Sequence, residues 1–267
     1  MHKDLSNTFV DCHFHVFDAG VATAQARYVP QYAAPLSHWR GLAEPCGVGR
    51  GVLVQTSFLG VDNSRLLREL AAHPDQLRGV AVLAPDADPQ SLAALDAAGV
   101  RGLRLNLAQV SHDMGHWRRA SSLWDAMLAL GWHLELHTDV GALAGVLRDL
   151  PAGLPLVLDH MGKPGAVSLR DPSVAATVRR AQQSPVHVKL SGTYRLEGRD
   201  PAALTALWLA ELGAAQLLWG SDWPWTNHEG QARYPDLLAA LRTWLGDAAA
   251  ERVLAENPSR LYWRETT

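Results

Sequence analysis

Residues 9–17 read F-V-D-C-H-F-H-V-F. On a β-strand successive side chains point to opposite faces. Asp11, His13 and His15 are therefore expected on one face, with Cys12, Phe14 and Val16 on the other. Two imidazoles one strand-step apart can grip one metal ion, or jointly polarise one carbonyl oxygen. Alone the pattern carries little weight, because 12 His in 267 residues supply roughly 0.5 such pairs by chance. Its meaning depends on whether later strands bring matching groups to the same end of the fold.

Short apolar runs follow at 51–57 (GVLVQTS), 79–84 (GVAVLA), 102–107 (GLRLNL), 133–138 (HLELHT), 154–160 (LPLVLDH), 186–192 (VHVKLSG) and 217–222 (LLWGSD). Helical spacing separates them: Leu66, Leu67 and Leu70 in 64–72, Leu92 and Leu95 in 89–98, and Leu123, Trp124, Met127 and Leu130 in 117–130. Further helices are expected at 141–149, 172–183, 201–212, 233–245 and 247–255. Three helices open on Asp-Pro (88–89, 171–172, 200–201), a capping carboxylate followed by proline where a missing N–H costs nothing. Gly99, Gly131 and Gly213 stand at the expected helix stops. Residues 18–50, rich in Ala, Pro and aromatics, form a long insertion with a helix at 36–46, the length of a loop over a pocket.

Eight strands alternating with helices predict one (β/α)8 TIM barrel over residues 1–267, with a doubly wound sheet as the structural rival. Strand faces favour the barrel. Polar residues recur with one parity near the strand ends: His13 and His15, Gln55 and Ser57, Arg104 and Asn106, Glu135 and His137, His160, Lys189 and Ser191, and Asp222. Leu103, Leu105, Leu134, Leu136, Val188 and Leu190 alternate with them and are expected to face the helices. Active sites of such barrels lie at the C-terminal strand ends, so these polar groups should converge.

The composition is that of an ordinary globular protein, 48% hydrophobic and 19% charged, with formal charge -3. No Lys/Arg-rich run is present, which argues against a nucleic-acid or anionic-membrane partner. Cys12 and Cys46 read as free thiols in a reducing compartment, and the start M-H-K-D-L-S-N-T has no apolar segment, so a cytoplasmic protein acting on a small molecule is expected.

Each polar candidate has a bland reading. Arg104 with Glu135, and Lys189 with Asp11, are expected as internal salt bridges; Glu135, Gln55 and Asn106 read as structural. Tyr28, Tyr32, Trp223 and Trp225 either line a pocket or pack the loops, and His228 follows strand eight. His13, His15, His137, His160 and Asp222 at four strand ends are a different matter. Burying several ionisable groups costs free energy unless they pair or bind a charge, so this set points to function.

At these residues the chain resembles the amidohydrolase superfamily, in its compact branch of pyrone-dicarboxylate-type lactone hydrolases. The likeness runs through D-C-H-F-H (11–15), R-Y-V-P-Q-Y (27–32), Q-T-S-F-L-G-V-D-N (55–63), R-G-L-R (101–104), D-H-M-G-K-P (159–164), K-L-S-G-T-Y-R (189–195), G-S-D-W-P (220–224) and N-P-S-R-L-Y (257–262). It implies hydrolysis of a lactone, with Asp222 as the base that activates water and His13, His15 and His160 polarising the carbonyl. Arg104, Lys163, Arg195, Tyr32, Ser57, Tyr194 and Trp225 are the implied substrate contacts. Lys163 stands where the resembled enzymes carry arginine, Val110 brings no charge, and Trp225 stands where histidine is expected. A lysine is a point charge and no planar fork. A lactone with one carboxylate, or a sugar lactone, therefore suits the chain better than a dicarboxylate.

The superfamily typically holds one divalent ion with two strand-one histidines, a strand-five histidine and a strand-eight aspartate. His13, His15, His137 and Asp222 stand there, a donor set that suits zinc. The pyrone dicarboxylate branch is understood to work without metal, which would leave His137 as a pocket-lining residue. Two rivals stand beside the lactonase reading: a metal-dependent decarboxylase and a non-catalytic barrel that binds a small acid.

Overall fold

The computed structural model describes residues 8–265; residues 1–7, which carry most of the N-terminal stretch read above, lie outside them. Eight parallel strands form one sheet in sequence order: β1 (Phe9–Phe14), β2 (Val48–Val54), β3 (Leu77–Ala81), β4 (Val100–Asn106), β5 (His133–His137), β6 (Leu156–Leu158), β7 (Val186–Leu190) and β8 (Leu217–Trp219). Around them lie α1 (Leu36–Ala43), α2 (Ser64–Ala72), α3 (Ser91–Ala97), α4 (Ser121–Ala129), α5 (Leu143–Asp149), α6 (Pro172–Ala181), α7 (Pro201–Leu212), α8 (Tyr234–Leu245) and α9 (Asp247–Glu251). The TIM barrel expected from the alternation is what forms. Closure comes just beyond β8, where the Asp222 amide donates to the His13 carbonyl at 2.8 Å and the His15 amide to the Trp223 carbonyl at 2.9 Å.

Apolar side chains pack in two layers. Val10, Cys12, Val52, Val54, Val80, Val157 and Leu218 meet inside the barrel with Tyr262, the branched filling such interiors favour. Tyr262 comes from the turn Ser259–Trp263 beneath the strands, where its carbonyl accepts from Arg101 Nε at 3.1 Å. Leu103, Leu105, Leu134, Leu136, Val188 and Leu190 belong to the outer layer with Leu66, Trp124, Trp208 and Leu241 of the helices, as the alternation predicted.

The first strand departs from strict alternation. Asp11 pairs with Gly51 and Phe14 with Leu53, so Cys12 and His13 together oppose Val52. One extra residue in a strand turns neighbouring side chains to the same face. Cys12 therefore lies inside, next to His13, and not on the opposite face; Asp11 leaves the histidine face altogether. Phe14 stacks on Trp39 with ring centroids 4.2 Å apart. Asp11, fully buried, accepts from Trp39 Nε1 at 2.9 Å, Ser221 N at 2.9 Å, Ser221 Oγ at 2.6 Å, Tyr234 Oη at 3.1 Å and His13 N at 3.1 Å. Facing outward, it is not the partner of Lys189 that the sequence suggested. Lys189 bonds Glu135.

Element ends also shift. β2 starts at Val48 and β3 at Leu77, earlier than the apolar runs, and the insertion ends at Gly47 accordingly. Trp117–Arg119 is a separate 3-10 turn ahead of α4. Asp171 and Asp200 cap α6 and α7 as read. Asp88 instead accepts from Gln90 N in a preceding turn, and α3 begins at Ser91. The insertion is tied down by an antiparallel bridge, Phe17 to Ala34, and by Phe17 and Tyr28 packed on Phe58. Among the described residues no helix is long and apolar enough to cross a membrane.

Asp11→Ala strands five donors at the β1–β8 joint and should cost about 3 kcal/mol or more in denaturant unfolding; a loss under ~1 kcal/mol contradicts the clamp. His133 is 1% exposed, neither ring nitrogen has a hydrogen-bond partner, and burial, with Lys189 beside it, pushes its pKa down to about 3. The native ring stays neutral while the unfolded ring protonates near pH ~6.5, so stability is intact above that pH and lost as pH falls towards 3. The slope attributable to this group is about 1.4 kcal/mol per pH unit. His133→Gln should flatten the acid limb by about one proton; identical pH profiles would refute the assignment.

Candidate active site

The β1–β8 joint places the reactive groups. Gly220 lies against His13, where an added Cβ would stand 2.5 Å from the His13 Cβ, so only glycine lets β8 approach this closely. Two residues on, Asp222 holds a left-handed φ of 57° and turns its carboxylate inward. Its Oδ1 lies 3.6 Å from both His13 Nε2 and His15 Nε2. Its Oδ2 accepts from Tyr194 Oη at 2.6 Å and Arg195 Nε at 2.7 Å. Burial opposes ionisation of Asp222, but the Arg195 guanidinium outweighs it and holds the carboxyl well below its ordinary pKa.

His15 Nδ1 lies 2.7 Å from the Val54 carbonyl. A carbonyl only accepts, so Nδ1 carries a proton, and in the neutral ring it is the Nε2 lone pair that faces Asp222. His13 Nε2 is buried without a hydrogen-bond partner. His13, His15 and Asp222 each offer a ligand atom within 4.8 Å of the others. Acceptor atoms converging with hydrogen bonds between them too long to form make a place for a cation. These three residues could hold a metal ion, and His15 has the outer hydrogen bond that orients such ligands.

His137 stands apart from that group. Its ring packs on His160 at 4.6 Å, and its Nδ1 is 3.5 Å from Arg104 Nη2. A guanidinium only donates, so Nδ1 accepts and the neutral ring carries its proton on Nε2. That Nε2 is buried without a hydrogen-bond partner, and His137 is in neither grouping of potential ligand atoms among the described residues. His160 has Ser191 Oγ 3.1 Å from Nδ1. Gly192 makes room for it, since a Cβ there would come within 2.5 Å of that nitrogen.

His160, Met161 and Lys163 all have left-handed φ, at 49°, 58° and 41°. Such backbone costs about 1 kcal/mol or more per non-glycine residue. The turn interrupts strand alternation and brings Asp159 and His160, adjacent in sequence, to the same centre. Both join His13 in a second grouping of potential ligand atoms.

Beneath the cluster lies a buried ionic floor. Arg104 bonds Asp159 Oδ2 at 3.0 Å and lies 3.5 Å from Glu135 Oε1. The second contact is the expected pairing, and Asp159 is an addition to it. Lys189 Nζ is 2.5 Å from Glu135 Oε2, 3.4 Å from Asp159 Oδ1 and 3.1 Å from His13 Nδ1. Burial raises Glu135 to about 7. Asp159, surrounded by His13, Lys189 and Arg104, is pulled well below its ordinary value despite burial. Sequence reasoning passed over Asp159 as a site residue. The signal was there, two positions beyond Val157 on the inward parity of β6.

The remaining candidates ring the mouth. Lys163 is 7% exposed; burial lowers its pKa, with Asp139 and Glu197 acting the other way. Tyr32 Oη donates to Glu229 at 2.6 Å, Trp225 Nε1 to the Ser221 carbonyl at 3.0 Å, and Ser57 lies exposed just beyond β2. His228 shares a hydrogen bond with Gln231, and its ring lies 4.9 Å from that of Tyr194 at a tilt of 41°. Gln55 binds the Gly60 and Asp62 carbonyls, which is the structural duty expected of it.

A family model described as Amidohydrolase matches residues 10–264. The chain is 28% identical to a 2-pyrone-4,6-dicarboxylate hydrolase of Comamonas testosteroni, over 96% of this chain and 90% of that one. It is 29% identical to a 4-sulfomuconolactone hydrolase of Rhizobium radiobacter, over 94% and 89%. A solved structure from Pseudomonas putida, provisionally identified as a 2-pyrone-4,6-dicarboxylic acid hydrolase, superposes with a TM-score of 0.83 at 36% identity, over 98% and 99%. With the family model spanning nearly the whole chain, the protein belongs to the amidohydrolase family and is a hydrolase of that family.

Proposed function

We propose that the protein opens the ring ester of a small lactone bearing one anionic group. The observation that carries this reading is the meeting of an ionised, buried Asp222 with His13, His15 and His160 at the barrel mouth. Asp222 takes a proton from water as the water oxygen adds to the lactone carbonyl carbon. The ring C–O bond then breaks, and the departing oxygen receives that proton, leaving a hydroxy acid. His160, with the Nε2–H of His137 beside it, stabilises the charge that develops on the carbonyl oxygen.

His13 Nε2, His15 Nε2 and Asp222 Oδ1 would hold one divalent ion, zinc by donor type, whose chemistry is Lewis-acid polarisation of an ester carbonyl. The preference for a single anionic group rests on counting charge. Arg104 is engaged by Asp159 and Glu135, and Arg195 by Asp222. Lys163 makes no ion pair among the described residues and is the cation left to meet a substrate carboxylate or sulfonate. Arg195 and Tyr194 can reach substrate only by sharing Asp222 with it.

The test is turnover on a panel of pyrone, muconolactone and sugar lactones. Asp222→Asn should lower kcat by about 10²–10⁴ on whichever lactone is opened. Lys163→Met should raise KM roughly 10-fold on the anionic lactone while sparing kcat. Binding without turnover across the panel, or carbon dioxide release in place of ring opening, would overturn the lactonase reading. Protein purified without chelator should carry close to one zinc per chain; full activity in metal-free protein would refute the zinc and leave the lactonase standing.

A further inference from the structure

Helices α5 and α6, which flank β6, leave a cleft of about 500 Å³ between them. Ala144 and Leu147 line it from α5, Ala175 and Ala176 from α6. Residues three or four apart share one face of a helix. Arg148 therefore continues the first row, and Arg179 and Arg180 the second; all three line the cleft. Both helices lead away from the C-terminal ends of parallel strands, so they run the same way and the arginines gather at one end. No carboxylate is among the lining residues.

Arg180 is 6% exposed. Its Nε donates to Ser184 Oγ at 3.1 Å, and its Nη2 to the Leu154 carbonyl at 3.1 Å and to the Pro151 carbonyl. These partners are all neutral. A buried charge is stable when an opposite charge lies against it. Arg104, the other buried arginine among the described residues, has Asp159 and Glu135. Arg180 has no such acid; burial lowers its pKa, and no neighbouring charge acts the other way. The rim adds more positive charge and no negative charge. Arg148 and Arg179 are exposed and make no ion pair among the described residues, while Asp149 is taken by Arg118 at 3.0 Å. The helix dipole favours an arginine near a helix C-terminus, and Arg180 also ties down the turn before β6. Those duties explain Nε and Nη2 of Arg180. They do not explain two further unpaired guanidiniums around the same opening.

We propose that the α5–α6 cleft is a binding site for a small organic dianion with an apolar body, such as an aromatic dicarboxylate. Its carboxylates meet Arg148, Arg179 and Arg180, whose planar forks suit them. Its body lies on the alanine and leucine rows, in a cleft of the size that small ligands fill. None of the lining residues belongs to the catalytic centre, so the site stands whether or not a lactone is opened there.

Phthalate is the probe, read by NMR of the full chain with ¹³C-labelled alanine methyls. The signals of Ala144, Ala175 and Ala176 are identified by their loss in single Ala→Ser variants. Phthalate should shift all three along one binding isotherm. Arg148→Gln/Arg179→Gln, which leaves the buried Arg180 in place, should weaken that binding roughly 10-fold. Dimethyl phthalate, with the same ring and no charge, should leave the methyls unmoved. Inorganic phosphate, with charge and no apolar body, should bind more weakly than phthalate. Phthalate held only in the catalytic centre would give an isotherm indifferent to Arg148 and Arg179. That result, unmoved methyls at millimolar phthalate, equal shifts with the neutral ester, or phosphate binding as tightly as phthalate would overturn the proposal.

Discussion

The structure depends on the joint where β1 meets the segment following β8. A barrel must close its hydrogen-bonded sheet, and here closure falls on His13, His15, Asp222 and Trp223. The same backbone bonds that seal the barrel thus set two imidazoles against one carboxylate. Asp11 reinforces the joint from outside by collecting donors from α1, α8 and Ser221. The extra residue in β1 lets one short strand serve both purposes, sending Asp11 outward to the clamp and His13 inward to the site.

Electrostatics then determines what the site can be. Two buried acids and two buried bases, Glu135, Asp159, Arg104 and Lys189, lie under His13 in mutual contact. Burial of this much charge is tolerated because each group has opposite charge within reach. Around them the imidazoles are kept neutral by desolvation, His160 near 3 and His13 and His137 also pushed down. Neutral imidazoles can be ligands or hydrogen-bond donors according to tautomer, and the tautomer follows from the neighbour of the second nitrogen. Val54 makes His15 an acceptor towards the site, whereas Arg104 makes His137 a donor. Histidines of one residue type are thereby given different chemistry by their surroundings.

Backbone strain marks the same place. The left-handed run through His160, Met161 and Lys163, and the left-handed φ of Asp222 and Trp225, concentrate at the mouth of the barrel. Each is held by specific bonds, such as Trp208 Nε1 to the Met161 carbonyl at 3.0 Å and the Trp225 amide to the Asp222 carbonyl at 2.8 Å. Regular strand geometry would send Asp159 and His160 to opposite faces, and the strained turn removes that restriction.

Much of this was legible in the residues alone. The alternation of apolar runs with helical spacing predicts the barrel because both periods are local properties of the backbone, and α2 and the Asp-capped α6 and α7 begin where their sequence signals stand. Convergence of His13, His15, His160 and Asp222 was also readable, since a barrel collects its strand ends at one rim. Local periodicity could not report the bulge that turns Asp11 away from Lys189, nor the left-handed turn at 160–163 that lets His160 join Asp159 at one centre. Both depend on how neighbouring strands are staggered, which is settled across the sheet and not along the chain. Which nitrogen of His137 or His15 carries the proton is more distant still from the sequence. It is decided by groups tens of residues away, Arg104 for one ring and the Val54 carbonyl for the other, because a neutral imidazole takes its tautomer from whatever the fold sets against it.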